Sequence, residues 1–286
     1  MTTPTPVWEI ATQLGEGPVW LAGEGVLRFV DIKSGNLHGY NPATGEHETL
    51  IVGGKPSFIA PTDKGGLLVG SGNAVRKLEG DKLGPAVTTV TMPAHNRTND
   101  ATVDGQGRLW FGTMDDAEQQ ATGALYCLDR STLHRVGGDA VVTNGPAISR
   151  DGKTLYHVDS GARTIWRFSI GDGPILKEGT VFVQLGDDEG YPDGVVLDSE
   201  DCLWVALWEG WGVRRYAPDG ELLLHVAFPC ARVTKLAFGG PDLRTAYVTS
   251  ARTGLSAAEL VAQPLAGSLF AFAAPVAGVA LPPVRL

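Results

Sequence analysis

The 286-residue chain is poor in the residues that several protein classes require. Its three cysteines, Cys127, Cys202 and Cys230, form an odd, scattered set with no CxxC spacing. That excludes a disulfide scaffold and the common zinc motifs, and it fits a reducing compartment, so a cytoplasmic location is expected. No apolar run approaches the roughly 18 residues of a membrane helix, and no membrane association is expected. The first residues, Met-Thr-Thr-Pro-Thr-Pro-Val-Trp, lack the basic and apolar regions of an export signal. Positive charge is scarce and unclustered, with 23 Lys and Arg against 32 Asp and Glu, a net −9. Phosphate neutralisation needs clustered cations, so nucleic acid is not an expected partner. Helical periodicity is nearly absent, which excludes helical solenoids. No histidine pair has metalloprotease spacing, and neither a Gly-x-Ser-x-Gly elbow nor a phosphate loop occurs.

The chain is rich in turn residues, 38 Gly and 18 Pro, and it repeats one phrase. Tyr191-Pro-Asp193-Gly-Val-Val-Leu-Asp198 followed by Leu203-Trp-Val-Ala-Leu207 reads as a presented carboxylate, an apolar strand, a polar turn and a second apolar strand. Asn99-Asp-Ala-Thr-Val-Asp104 with Leu109-Trp-Phe, and Asn144-Gly-Pro-Ala-Ile-Ser149 with Leu155-Tyr, repeat it. Weaker copies begin at Glu16, Ser57 and Thr234, giving separations of 41, 42, 45, 49 and 41 residues. Six units of roughly 40 to 50 residues match the four-stranded blades of a propeller. The expected fold is an all-β six-bladed propeller, one domain over residues 1–286. Its ring is closed by pairing the N-terminal segment Val7–Ala11 with Ser268–Phe272, which would remove two open sheet edges. Blade three is expected to end in a short strand near His134–Gly137. The one helix expected is Leu255–Ala262, capped by Ser256.

The first strand of each blade lines a propeller's channel, so the six leading residues should converge on one mouth. Glu16, Asn99, Asn144 and Asp193 would bring two carboxylates and two carboxamides together, beside Ser57 and Thr234. Any one of them alone reads as an ordinary turn former; their shared register argues for a site. Hard oxygen donors of formal charge −2 suit Ca²⁺, Mg²⁺ or Mn²⁺, and such a site can also accept Zn²⁺ or Fe²⁺. Asp104, Asp151 and Asp198 read as turn residues, and His157 as a hydrogen-bonded histidine within a sheet.

Leu14-Gly-Glu16-Gly-Pro-Val-Trp20, Arg97-Thr-Asn99-Asp100, Asn144-Gly-Pro and Tyr191-Pro-Asp193-Gly resemble the signature segments of the regucalcin, gluconolactonase and luciferin-regenerating-enzyme family. Within it, Thr98–Met114 and Ser256–Phe270 are most similar to bacterial xylonolactonases. The resemblance implies one catalytic divalent metal held by Glu16, Asn144 and Asp193. It implies substrate contacts from Arg97 and Asn99, with Asn99 near or in the metal shell. A glutamate of the animal members that contacts sugar aligns with Ala117, so Asp116 and Glu118 are the candidates to replace it. The implied activity is hydrolysis of a small sugar lactone, a pentonolactone such as xylonolactone, by a monomer, with Asp193 as general base. Gluconolactonase, another ester or organophosphate hydrolase, and a non-catalytic calcium-binding propeller stay open beside it. The polar stretch Asp115–Thr122 is expected to cover one mouth of the ring, with Tyr191 and Trp208 narrowing the pocket.

Overall fold

Alternating apolar runs and glycine-bearing turns fold into six four-stranded antiparallel sheets in the computed structural model, which describes residues 3–286. The sheets are the blades of a propeller. Blades one to five each take four consecutive strands, beginning with Gly15–Leu21, Pro56–Pro61, Asn96–Val103, Thr143–Ile148 and Tyr191–Leu197. Blade six takes Val233–Gly239, Thr245–Ser250 and Leu269–Ala273, and the N-terminal strand Thr5–Trp8 completes it from outside. The closing strand lies a little earlier than Val7–Ala11, pairing Thr5 with Ala271, Pro6 with Phe270 and Trp8 with Leu269. Blade three's outer strand is longer than expected, Thr132–Ala140. A helix at Ala257–Ala262 starts from Ser256, whose hydroxyl accepts from the Glu259 amide while the Glu259 carboxylate accepts from the Ser256 amide, a reciprocal cap that satisfies two otherwise orphaned donors.

Both faces of a blade pack on neighbouring blades, so middle strands such as Leu203–Trp208 read as continuous apolar runs rather than alternating ones. The core is accordingly divided among the six blade seams. Trp204 and Phe270 fill the seam between blades five and six, Phe58 and Phe111 that between two and three, and Trp110 and Leu155 that between three and four. Burying each such side chain contributes about 2 to 3 kcal/mol.

Every innermost strand carries a register irregularity at its leading residue: Glu16/Val19, Pro56/Phe58, Thr98/Ala101, Asn144/Ala147, Pro192/Val195 and Val233/Lys235. The leading residues are therefore bulge residues within or beside a strand, not caps of a preceding turn. A bulge disrupts the ladder and re-aims the side chains in and next to it, and Glu16, Asn99, Asn144 and Asp193 line the cavity from these positions. At the opposite end, the C-terminal tail crosses the ring through bridges of Gly278 with Asp198 and of Val284 with Thr62. No helix among the described residues is long and apolar enough to cross a membrane.

Candidate active site

A cavity of about 530 Å³ opens where the inner strands begin. Glu16, Asn99, Asn144 and Asp193 all line it, together with Arg97, Glu118, Tyr191 and Trp208. The fold thus brings together residues from blades one, three, four and five. Ser57 and Thr234 share the register but not the site. The Ser57 hydroxyl meets that of Thr98 at 2.9 Å, and the Thr234 hydroxyl donates to the Gly15 carbonyl at 2.6 Å, so both stitch adjacent blades.

Asp193 is buried, and its carboxylate accepts no hydrogen bond from the described residues. Glu16 is equally buried and accepts from the Gly17 amide through Oε2 at 2.7 Å. Burial, and then the charge of Asp100, push the Glu16 carboxyl up to about 8. Burial, followed by the charges of Glu16, Asp100 and Glu118, holds Asp193 well above the ordinary carboxylate range. Two buried acids this poorly compensated demand either protons or a cation. Asn144 supplies a third oxygen: its Nδ2 donates to Ser160 Oγ at 3.0 Å, and its Oδ1 accepts from Asn99 Nδ2 at 2.9 Å. Ser160 is fixed in turn by donating to the Pro192 carbonyl at 2.7 Å. No group of three or more His, Cys, Asp or Glu side chains disposed to hold a metal occurs among the described residues. The candidate donor set is mixed instead, two carboxylates and one carboxamide, all hard oxygens as a divalent cation of the Ca²⁺ or Mg²⁺ type prefers.

Asn99 also donates to the Thr143 carbonyl at 2.8 Å, and its Oδ1 accepts from Arg97 Nη1 at 2.6 Å. Its oxygen therefore faces Arg97, which sets it as the link between the guanidinium and Asn144. Arg97 Nε donates to Asp116 at 2.8 Å, and Lys55 pairs with the same carboxylate. Burial pushes the Asp116 carboxyl up, but the hydrogen bonds from Lys55 and Arg97 outweigh it and leave the group below its ordinary value. The two acids offered in place of the missing glutamate thus divide: Glu118 lines the cavity, whereas Asp116 holds Arg97. Tyr191 and Trp208 pair across strands and stack on Arg163 and Arg232.

His157 meets its expected state in part: it has a hydrogen bond to the Asn144 backbone, while its Nδ1 has no partner and burial drives its pKa down to about 4. Asp104 and Asp198 are more than turn residues. Each is buried and accepts from an indole six residues on, Trp110 and Trp204, at 2.8 Å in both cases. Two functional candidates escaped the sequence reading, Asp100 and Lys235, which meet beneath the donor set. Lys235 sits in the run Thr-Lys-Leu-Ala-Phe and reads as a solvent-facing strand lysine; its position one residue after a leading residue was the available signal.

A six-bladed propeller that gathers two buried carboxylates, two carboxamides and an arginine at one cavity defines the class, an enzyme-like propeller with its site on the inner strands. The chain belongs to the SMP-30/Gluconolactonase/LRE-like family, whose pattern it matches over residues 14–252. It is 36% identical over 278 residues to the 6-deoxy-6-sulfogluconolactonase of Pseudomonas putida, covering 94% of each chain. It is 37% identical over 257 residues to the pentonolactonase of Haloferax volcanii, covering 87% of this chain and 85% of that one. The crystal structure of a calcium-binding protein, regucalcin, from Agrobacterium tumefaciens superposes with a TM-score of 0.94 at 27% identity, covering 100% of this chain and 98% of that one.

Proposed function

We propose that this protein hydrolyses a sugar lactone to the aldonic acid, using one divalent cation held by Glu16, Asn144 and Asp193. The observation that carries the proposal is the Asp193 carboxylate, buried without a hydrogen bond beside buried Glu16 at the wall of a sugar-sized cavity. When bound, a divalent cation at such a site polarises a carbonyl and makes water more acidic. Asp193 accepts the proton of the attacking water as general base. The water oxygen bonds to the lactone carbonyl carbon, the ring C–O bond breaks, and the ring oxygen leaves as a hydroxyl once it gains a proton. Arg97 cannot swing freely, because Asp116 holds its Nε and Asn99 its Nη1. A clamped guanidinium orients lactone oxygens without first losing rotamer freedom.

The substrate proposed is a five-carbon aldonolactone, because Tyr191 and Trp208 stand together on the cavity wall. A relative named for pentonolactones supports that choice. Lys33 and Arg232 on the same wall favour a second reading, a six-carbon lactone bearing an anionic group, the chemistry in the name of the Pseudomonas relative. Three free, buried cysteines fit action in a reducing cytoplasm.

The test is hydrolysis of pentono-, hexono- and 6-sulfo-hexonolactones by chelator-treated protein, with each divalent cation restored in turn. Cation-dependent turnover is expected, with kcat/KM for the five-carbon lactone exceeding its six-carbon analogue by roughly tenfold to a few hundredfold, the range one extra CH₂OH permits. Asp193→Ala should abolish turnover and leave the β-sheet circular dichroism unchanged. Cation-independent turnover, or wild-type rates in Asp193→Ala, refutes the site. Equal or better turnover of gluconolactone refutes only the pentose preference, and a marked preference for the sulfo-sugar selects the second reading.

A further inference from the structure

Beneath the donor set, a charged pair spans the channel. Asp100 lies in the bulge of blade three's inner strand and Lys235 on the inner strand of blade six, the blade directly opposite in a ring of six. The Lys235 ammonium donates to Asp100 Oδ1 and, at 3.3 Å, to the Ala101 carbonyl. Both side chains are buried, at 9% and 1% exposure. Each member also touches backbone next to a candidate cation ligand. Asp100 Oδ2 accepts from the amide of Gly145 at 3.0 Å, the residue after Asn144. The Lys235 stem packs against Gly194, the residue after Asp193, so closely that a Cβ there would lie 2.6 Å from Lys235 Cβ and Cγ.

We infer that Asp100 and Lys235 are positioning residues for the cation site. The inference rests on the metal reading of Glu16, Asn144 and Asp193. The pair braces the backbone behind Asn144 and Asp193, and the Lys235 ammonium offsets the negative charge of Asp100 beneath the cation. Removing one member changes the field in a direction set by which charge remains. Asp100→Asn strands an ammonium below the cation, and a like charge at close range in a water-poor channel repels strongly. Lys235→Met leaves no such positive charge, and its straight chain keeps the packing against Gly194. A pair that served packing alone would weaken the site alike from either side.

The experiment is calorimetric titration of chelator-treated wild type, D100N, K235M and the double variant with Mn²⁺, with thermal melts to confirm folding. D100N is expected to bind Mn²⁺ at least tenfold more weakly than wild type, K235M at least as tightly as wild type, and the double variant more tightly than D100N. D100N binding like wild type, or both single variants weakened alike, overturns the inference while leaving the metal site standing. If D100N does not fold, K235M alone decides, since tenfold weaker binding there refutes the charge argument and undiminished binding upholds it. A wild-type chain that binds none of Mn²⁺, Ca²⁺ and Zn²⁺ overturns the metal reading and this inference with it.

Discussion

Glu16 carries its proton differently in the folded and unfolded chain. Burial and Asp100 lift its carboxyl from 4.5 to about 8 when no cation is bound, and Asp193 is lifted in the same sense. A raised carboxyl stabilises the fold below its unfolded value and loses that contribution as pH rises through the folded value, because the native state then binds more protons than the unfolded one. His38 and His157 oppose this trend at lower pH. Burial lowers both from 6.5 to about 4, so they destabilise the fold as pH falls through that interval. The clean window therefore starts about one unit above the unfolded histidine value of 6.5, roughly pH 7.5 to 8.5, where both histidines are almost wholly neutral folded or unfolded and Glu16 titrates in the fold at about 8. There the cation-free protein should lose up to about 1 kcal/mol per pH unit through Glu16. Added divalent cation should raise the melting temperature more at about pH 8.5 than at about pH 7.5. Melting curves of chelated and cation-loaded protein across the window measure this, and a flat cation-free profile would contradict it.

At the scale of the element, the turns after the inner strands of blades three and five each have an aspartate anchor. Asp198 accepts from the amides of Glu200 and Cys202 at 2.9 and 3.1 Å, from the Trp204 indole at 2.8 Å and from Arg215 Nε at 2.7 Å. Asp104 repeats the arrangement with Gln106, Arg108 and Trp110. Both carboxylates lie at the end of their strand remote from the cavity, so their work is structural. Asp198→Ala leaves the Arg215 guanidinium only its bond to Glu200 and strands the Trp204 indole N–H, and should cost about 3 kcal/mol. Lactonase activity per folded molecule should stay near wild type, as read from urea melts beside assays well below the transition. The repeat pairing an aspartate with a tryptophan six residues later was visible in the sequence, but its ion pair was not. Arg215 comes from the third strand, and nothing local in Val-Arg-Arg-Tyr says which arginine turns inward. The bulges were hidden for a like reason. A register shift depends on the strand opposite, so Glu16, Asn99, Asn144 and Asp193 could be aligned as equivalents while being taken for turn residues. Asp100 and Lys235 were harder still, because only ring closure makes blade six the neighbour of blade one and sets it across from blade three.

The whole molecule depends on one seam that no single blade can make. Blade six is complete only when Thr5–Trp8 pairs with Leu269–Ala273, joining chain segments more than 260 residues apart. The sequence spoke for this closure through its order of strands, with one spare apolar segment before the first repeat and one blade a strand short at the end. Trp8 then locks the seam onto blade one: it stacks on His47 with ring centroids 4.2 Å apart and meets Phe29 and His38 edge-on at 5.8 and 5.5 Å. Trp8→Ala should keep the pairing but lose these contacts, at a cost of about 2 to 3 kcal/mol for a partly buried indole. Deleting the first eight residues should do more, since it uncovers the backbone edge of Leu269–Ala273, a ready template for pairing with a second chain. The deletion variant is expected to melt below Trp8→Ala and to form higher oligomers with rising protein concentration, as followed by light scattering on a sizing column. The cavity lies on the inner strands, away from this outer edge, so molecules that remain monomeric should keep their Mn²⁺ affinity. A deletion variant as stable and monomeric as the full chain would mean that the other seams hold the ring without the closing strand.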